Sequence, residues 1–152
     1  MRKNECLIDW LRFSVPNSDA NFVADKILGI EITEFSSGNK GSPFPTYDYR
    51  FCFANIEIHI SNTHSNVLVN LSGSACRQYE EYMSRINGWH WQAFIFRLLE
   101  VQAVPTRIDL ALDIFDDSSP PVKKIQDYVK RGQLSSRSQT FREINSGAIL
   151  DG

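Results

Sequence analysis

The chain has 152 residues, of which 42% are hydrophobic and 22% charged, with a formal net charge of −2. That length supports one domain with a real core. The near-neutral balance excludes a strongly basic nucleic-acid-binding chain and leaves only local clusters for phosphate contact.

Cys6 to Val15 (CLIDWLRFSV) is apolar on both faces and predicts a central strand. Leu7, Leu11 and Phe13 would share one face with Asp9, and Ile8 and Trp10 would take the other. Asp9 would then be half-buried, and a buried carboxylate needs a partner. Pro16 ends the run. Asn17-Ser18-Asp19 offers N-caps for a helix from about Ala20 to Leu28, which Gly29 closes. Ile30 to Phe35 could form a short strand. The loop from Glu34 to Pro45 carries Gly38, Lys40 and Gly41 but lacks the GxxxxGK[ST] spacing of a phosphate loop.

Tyr47 to Phe53, Ile56 to Ile60 and Val67 to Leu71 alternate or run apolar over short lengths. Tight links join them into an antiparallel meander. Ser72-Gly73-Ser74-Ala75 breaks the pattern. Cys76 to Ile86 predicts a helix with Tyr79, Met83 and Ile86 inward. Trp89 to Val101 predicts a second, with Trp91, Ile95, Leu98 and Leu99 inward. Thr106 to Asp113 (TRIDLALD) alternates strictly. Ile108, Leu110, Leu112 and Ile114 fall on one side, and Arg107, Asp109, Ala111 and Asp113 on the other. Val122 to Lys130 predicts an amphipathic helix that buries Val122, Ile125 and Val129 and is capped by Gly132. Lys123, Lys124, Lys130 and Arg131 lie on or near its exposed side. Arg137 to Ile144 predicts a last strand, followed by the turn at Asn145-Ser146-Gly147. The fold class is α+β: a mostly antiparallel sheet of about five or six strands with helices mainly on one face. Residues 1–152 read as one domain, the N-terminal portion of something longer.

Several chemistries are missing. There is no GxSxG elbow, no HExxH, and no GxGxxG. No strand carries a His-apolar-His pair. The cysteines Cys6, Cys52 and Cys76 are far apart and lack a zinc spacing, so they read as reduced thiols of a cytoplasmic protein. No stretch approaches the roughly 20 apolar residues of a membrane span, and no signal peptide is expected. What remains is carboxylates on strands. Asp109 and Asp113 are about 13 Å apart along a strand, too far for one ion. An ion would take one of them plus a neighbour, for which Asp9 is the acidic candidate. Glu57 and His59 share a face of the meander and are weaker candidates. Oxygen ligands suit Mg²⁺ or Mn²⁺ rather than zinc.

Three blocks together resemble a known family. They are Leu7-Ile8-Asp9-Trp10-Leu11, the stretch Leu71-Ser72-Gly73-Ser74-Ala75-Cys76-Arg77-Gln78-Tyr79-Glu80, and Thr106 to Asp113. They are similar to the "SG-x-G-C-R-x-Y-E" and "TRIDLA-x-D" blocks, with the opening strand, of rolling-circle replication initiators of the pT181-plasmid type. Related phage initiators and MobT-type relaxases share them. Ala75 stands where the family has Gly.

The resemblance implies binding at an origin of replication or transfer, and nicking of one strand by a tyrosine with a divalent ion. It makes Asp9, Asp109 and Asp113 the candidates for the metal. It makes Arg77 and Arg107 candidates for DNA contact, and Lys123, Lys124, Lys130 and Arg131, by their charge on the exposed helix side, could form a further phosphate-contacting face. Cofactor and partners would be Mg²⁺ or Mn²⁺, origin DNA, and a second copy of the chain as a homodimer. Tyr47, Tyr49, Tyr79, Tyr82 and Tyr128 do not sit in the nucleophile's context, which the resemblance puts beyond Gly152. The chain alone is then not expected to nick. The alternative is a truncated, non-catalytic paralogue that binds DNA or dimerises.

Overall fold

A computed structural model describes residues 5–37, 41–113, 124, 127, 128 and 130–132. Glu5–Asp113 forms one compact unit; Met1–Asn4 with Ile114–Gly152 forms another. In the second unit, residues 124, 127, 128 and 130 are helical and Gly132 has φ +64°. The Arg131 amide there donates to the Asp127 carbonyl at 3.0 Å. The expected burial of Val122, Ile125 and Val129, the strand at Arg137 to Ile144, and the Gly38 to Lys40 part of the loop lie outside the described residues.

The larger unit is a six-stranded antiparallel sheet with its helices on one face, as the alternation in the sequence predicts. The strands are β1 (Glu5–Val15), β2 (Ser36–Ser37), β3 (Tyr49–Phe53), β4 (Ile56–Ile60), β5 (Val67–Leu71) and β6 (Val104–Asp113). Their order across the sheet is β2-β3-β4-β5-β1-β6. Strand β1 is interior, beside the edge strand β6, and it pairs with β5 on one side and β6 on the other.

The helices are α1 (Ala20–Phe22), which runs into a π-helical stretch Val23–Leu28, then α2 (Gly73–Met83) and α3 (Trp91–Glu100). Asp19 starts α1 by accepting from the Phe22 amide at 2.9 Å, and Gly29 ends the segment at φ +69°. Beneath the helices, Leu11, Phe13, Ile56, Ile58, Val69 and Leu71 are fully buried. Each such side chain contributes about 1.5–3 kcal/mol of transfer free energy. Tyr79 of α2 knits this core together. It is fully buried, its hydroxyl donates to the Leu28 carbonyl at 2.9 Å, and its ring meets Trp89, Trp91 and Phe94.

Local expectations shift in five places, four of them outside β1. Ile30 to Phe35 is no strand; it holds a 3-10 turn at Ile32–Glu34. Helix α2 begins at Gly73 rather than Cys76, because Ser72 takes an extended N-cap conformation and its carbonyl accepts from the Cys76 amide at 2.8 Å. The helix also ends sooner, and Ile86 is exposed. Helix α3 buries a narrow stripe of Phe94 and Leu98, so Leu99, one step further round, faces out.

The largest shift is in β1. The register with β6 pairs Ile8 with Leu110 but Trp10 with Asp109, so Asp9 is an extra residue, a β-bulge. The bulge resets the alternation: Ile8 is buried on the same side as Leu11 and Phe13, and Asp9 is exposed. The expected half-burial of Asp9 is therefore corrected. A second irregularity follows where Arg12 pairs with Arg107 and Phe13 with Pro105, which leaves Thr106 as the extra residue on β6.

Candidate functional site

The sheet face opposite the helices is polar. Strand register sets Cys52, Glu57, Asn70, Arg12 and Arg107 side by side across β3, β4, β5, β1 and β6. Asn70 is the hub. It is buried, and a buried amide must find partners for both of its ends. Its Oδ1 accepts from the Trp10 indole at 2.9 Å and from Arg12 Nε at 3.2 Å, while its Nδ2 donates to Glu57 Oε2 at 2.9 Å. Glu57 Oε1 is held by Arg50 at 3.0 Å.

His59 lies beside Glu57, fully buried under the loop that carries Phe44 and Tyr47. Its Nδ1 bonds Ser42 Oγ at 3.0 Å, and its Nε2 is 3.5 Å from Glu57 Oε2. Burial outweighs the Glu57 carboxylate and lowers the imidazole from 6.5 to about 4, so the ring is neutral near pH 7.

Towards β6 the face opens. The Arg107 guanidinium lies 3.8 Å from the Trp10 ring centre and grips the Asp109 carboxylate, with Nη2 to Oδ2 at 2.5 Å. That hydrogen-bonded pair raises the Arg107 pKa and lowers that of Asp109. The Arg12 guanidinium lies 4.7 Å from the Phe44 ring centre. Both guanidiniums lie within cation–π distance of an aromatic ring.

The residues singled out in the sequence do not form one cluster. Asp9 turns to the opposite side, against the start of α2. A Cβ on Gly73 would lie 3.1 Å from its Oδ1. Asp113 sits at the far end of β6, opposite Glu5. Asp109 is committed to Arg107. A divalent ion needs several oxygens converging at about 2.0–2.6 Å. These three carboxylates do not converge, and among the described residues no group of three His, Cys, Asp or Glu side chains could hold an ion. They do not fit as a shared metal site.

Arg77 is used inside the fold. Its Nη2 donates to the Ile8 carbonyl at 2.5 Å, beside the bulge, and its Nη1 pairs with Glu80 at 2.8 Å. Of the DNA-contact candidates on β6, Arg107 is exposed on the polar face. Lys124, Lys130 and Arg131 are exposed in the other unit, and Lys123 lies outside the described residues. Trp10, Arg12, Arg50 and Asn70 were not singled out. The available signals were an arginine inside an apolar central strand and an asparagine inside Val67–Leu71.

Among the tyrosines, Tyr79 is core and Tyr82 packs on Phe53. Tyr49 accepts from Asn62 Nδ2. Tyr47 stands near His59 and His64, and burial raises its hydroxyl pKa, the wrong direction for a nucleophile.

A sequence profile described as "Rolling Circle replication initiation protein N-terminal domain" matches residues 5–97, from β1 into α3. The chain belongs to this family. The matched range holds Trp10, Arg12, Glu57, His59 and Asn70, so most of the polar face is family territory. The chain is also 25% identical over 150 residues to the "Putative DNA relaxase NicK" of Bacillus subtilis (strain 168), which covers 95% of the chain. It spans 40% of that relative's length. No solved structure matches. Among the described residues, no helix is long and apolar enough to cross a membrane.

Proposed function

We propose that this rolling-circle initiator domain binds origin DNA on the polar face of its sheet, as part of a protein that nicks one strand through a tyrosine. Family membership supplies the replication context. The observation that carries the placement is the open end of the polar face, where the pairs Trp10–Asp109 and Arg12–Arg107 flank Leu11–Ile108 in a three-pair stretch between two bulges. Bulges re-aim side chains and often adjoin active sites, and guanidinium–aromatic stacks suit a nucleic-acid strand.

The tyrosine would attack phosphorus, remain joined to the 5′ end and leave a 3′ hydroxyl. No tyrosine of Glu5–Asp113 stands on this open end. Mg²⁺ or Mn²⁺ remains part of the proposed reaction, but the three aspartates give it no common site. The relative's name, a DNA relaxase, supports the same class of chemistry.

The test uses a supercoiled plasmid carrying the candidate origin. The chain is assayed alone and, where its coding sequence continues, together with the residues encoded beyond it. The extended protein should convert the plasmid to open circles with protein joined to the 5′ end, and EDTA should stop this. Nicking that survives EDTA would remove the metal. DNA binding without any adduct would favour the second reading, a non-catalytic paralogue.

A further inference from the structure

Two of the three arginines on the polar face are neutralised by carboxylates. Arg50 pairs with Glu57 and Arg107 with Asp109. Arg12 lies between them and, among the described residues, makes no ion pair; its polar partner is the neutral Asn70 oxygen. Its Nε is committed to that oxygen, which leaves the two terminal nitrogens as donors.

Arg12 also faces Arg107 directly across the β1–β6 pair. Like charges directly opposite on neighbouring strands destabilise a sheet. The arrangement is tolerated here because each guanidinium is drawn aside, Arg12 towards Phe44 and Asn70, and Arg107 towards Trp10 and Asp109. An anion seated between the two would relieve that repulsion and give Arg12 the acceptor it lacks.

We propose that Arg12, fixed by Asn70 and set against Arg107, is the receptor for a backbone phosphate of the bound DNA. This rests on the DNA-binding reading above and deepens it by naming the contact. A guanidinium fork grips phosphate oxygens with two parallel hydrogen bonds. Trp10, braced by Asn70 at its indole nitrogen, lies beside it and carries the Arg107 guanidinium over its ring.

The test is fluorescence anisotropy of the full chain with a single-stranded oligonucleotide and its duplex, each across a salt series. Arg12→Gln should weaken binding about tenfold at low salt. It should also flatten the slope of log K against log salt by about 0.7 on the single strand or about 0.9 on the duplex, the signature of one lost phosphate contact. Arg12→Lys keeps the charge and should keep the slope. The form with the larger loss is the one that lies on this face. Equal slopes for wild type and Arg12→Gln, whether or not affinity falls, would overturn the proposal and leave the DNA-binding reading standing. A wild-type chain that binds neither oligonucleotide would overturn both. Circular dichroism checks that the variants are folded.

Discussion

Gly73 and Asp9 touch where helix α2 meets the bulge of β1. A Cβ at position 73 would lie 3.1 Å from the Asp9 carboxylate oxygen and 3.3 Å from its backbone oxygen. Glycine at position 73 is therefore a packing requirement. Gly73→Ala should improve helix propensity yet lower stability by about 1 kcal/mol, because the backbone oxygen belongs to a paired strand. Urea denaturation measures it, and a variant as stable as wild type would show that the strand moves aside freely.

Asn70→Asp would replace a donor to Glu57 with a second carboxylate. Two acids would then face each other at a buried site. A loss of about 2–3 kcal/mol is expected at pH 7. The like charges would raise the folded-state pKa of the pair above its unfolded value, so the deficit should shrink as pH falls. A deficit that grows on acidification would contradict the hub role of Asn70.

His59 gives a pH dependence of its own. Its folded pKa is lowered from 6.5 to about 4 by burial. The unfolded chain therefore binds more protons between those values, so the stability due to the neutral ring is complete above 6.5 and is lost as pH falls towards 4. Denaturation midpoints of wild type should drop through that window more steeply than those of His59→Phe. Parallel curves would mean that the imidazole titrates freely.

Asp109→Asn separates two roles. If the carboxylate serves to neutralise Arg107, its removal frees a guanidinium on the polar face. Oligonucleotide binding should then tighten severalfold, with a steeper salt dependence. If Asp109 instead held a divalent ion with neighbours, the variant would lose Mg²⁺- or Mn²⁺-dependent binding. Anisotropy with and without EDTA distinguishes them.

Much of the fold was legible in the sequence because alternation and turn residues report directly on a half-covered sheet. The β3–β4–β5 meander and the strict period of Thr106 to Asp113 come through within a few residues. Asp9 was misplaced because alternation assumes an unbroken ladder, and a bulge shows only once the partner strand is known. The site was less legible. Asn70 looks like a lone polar residue in an apolar run until register puts Trp10, Arg12 and Glu57 beside it. Arg107 and Asp109 announced themselves by charge, yet their mutual grip is what takes Asp109 away from a metal. Nothing in the sequence marks Arg12's want of an acid partner, because that is a property of three neighbouring strands.

The position of β1 bears on how the chain is made. Of the six strands it is the first to be made, yet it lies in the interior of the sheet, between β5 at Val67–Leu71 and β6 at Val104–Asp113. One edge stays open until β5 emerges, and the other until β6 does. Pairings so distant in sequence close large loops before they gain contacts, which slows folding towards the millisecond-to-second range. During that interval the apolar stretch around Leu11 and Phe13 is the segment most in need of protection from other nascent chains.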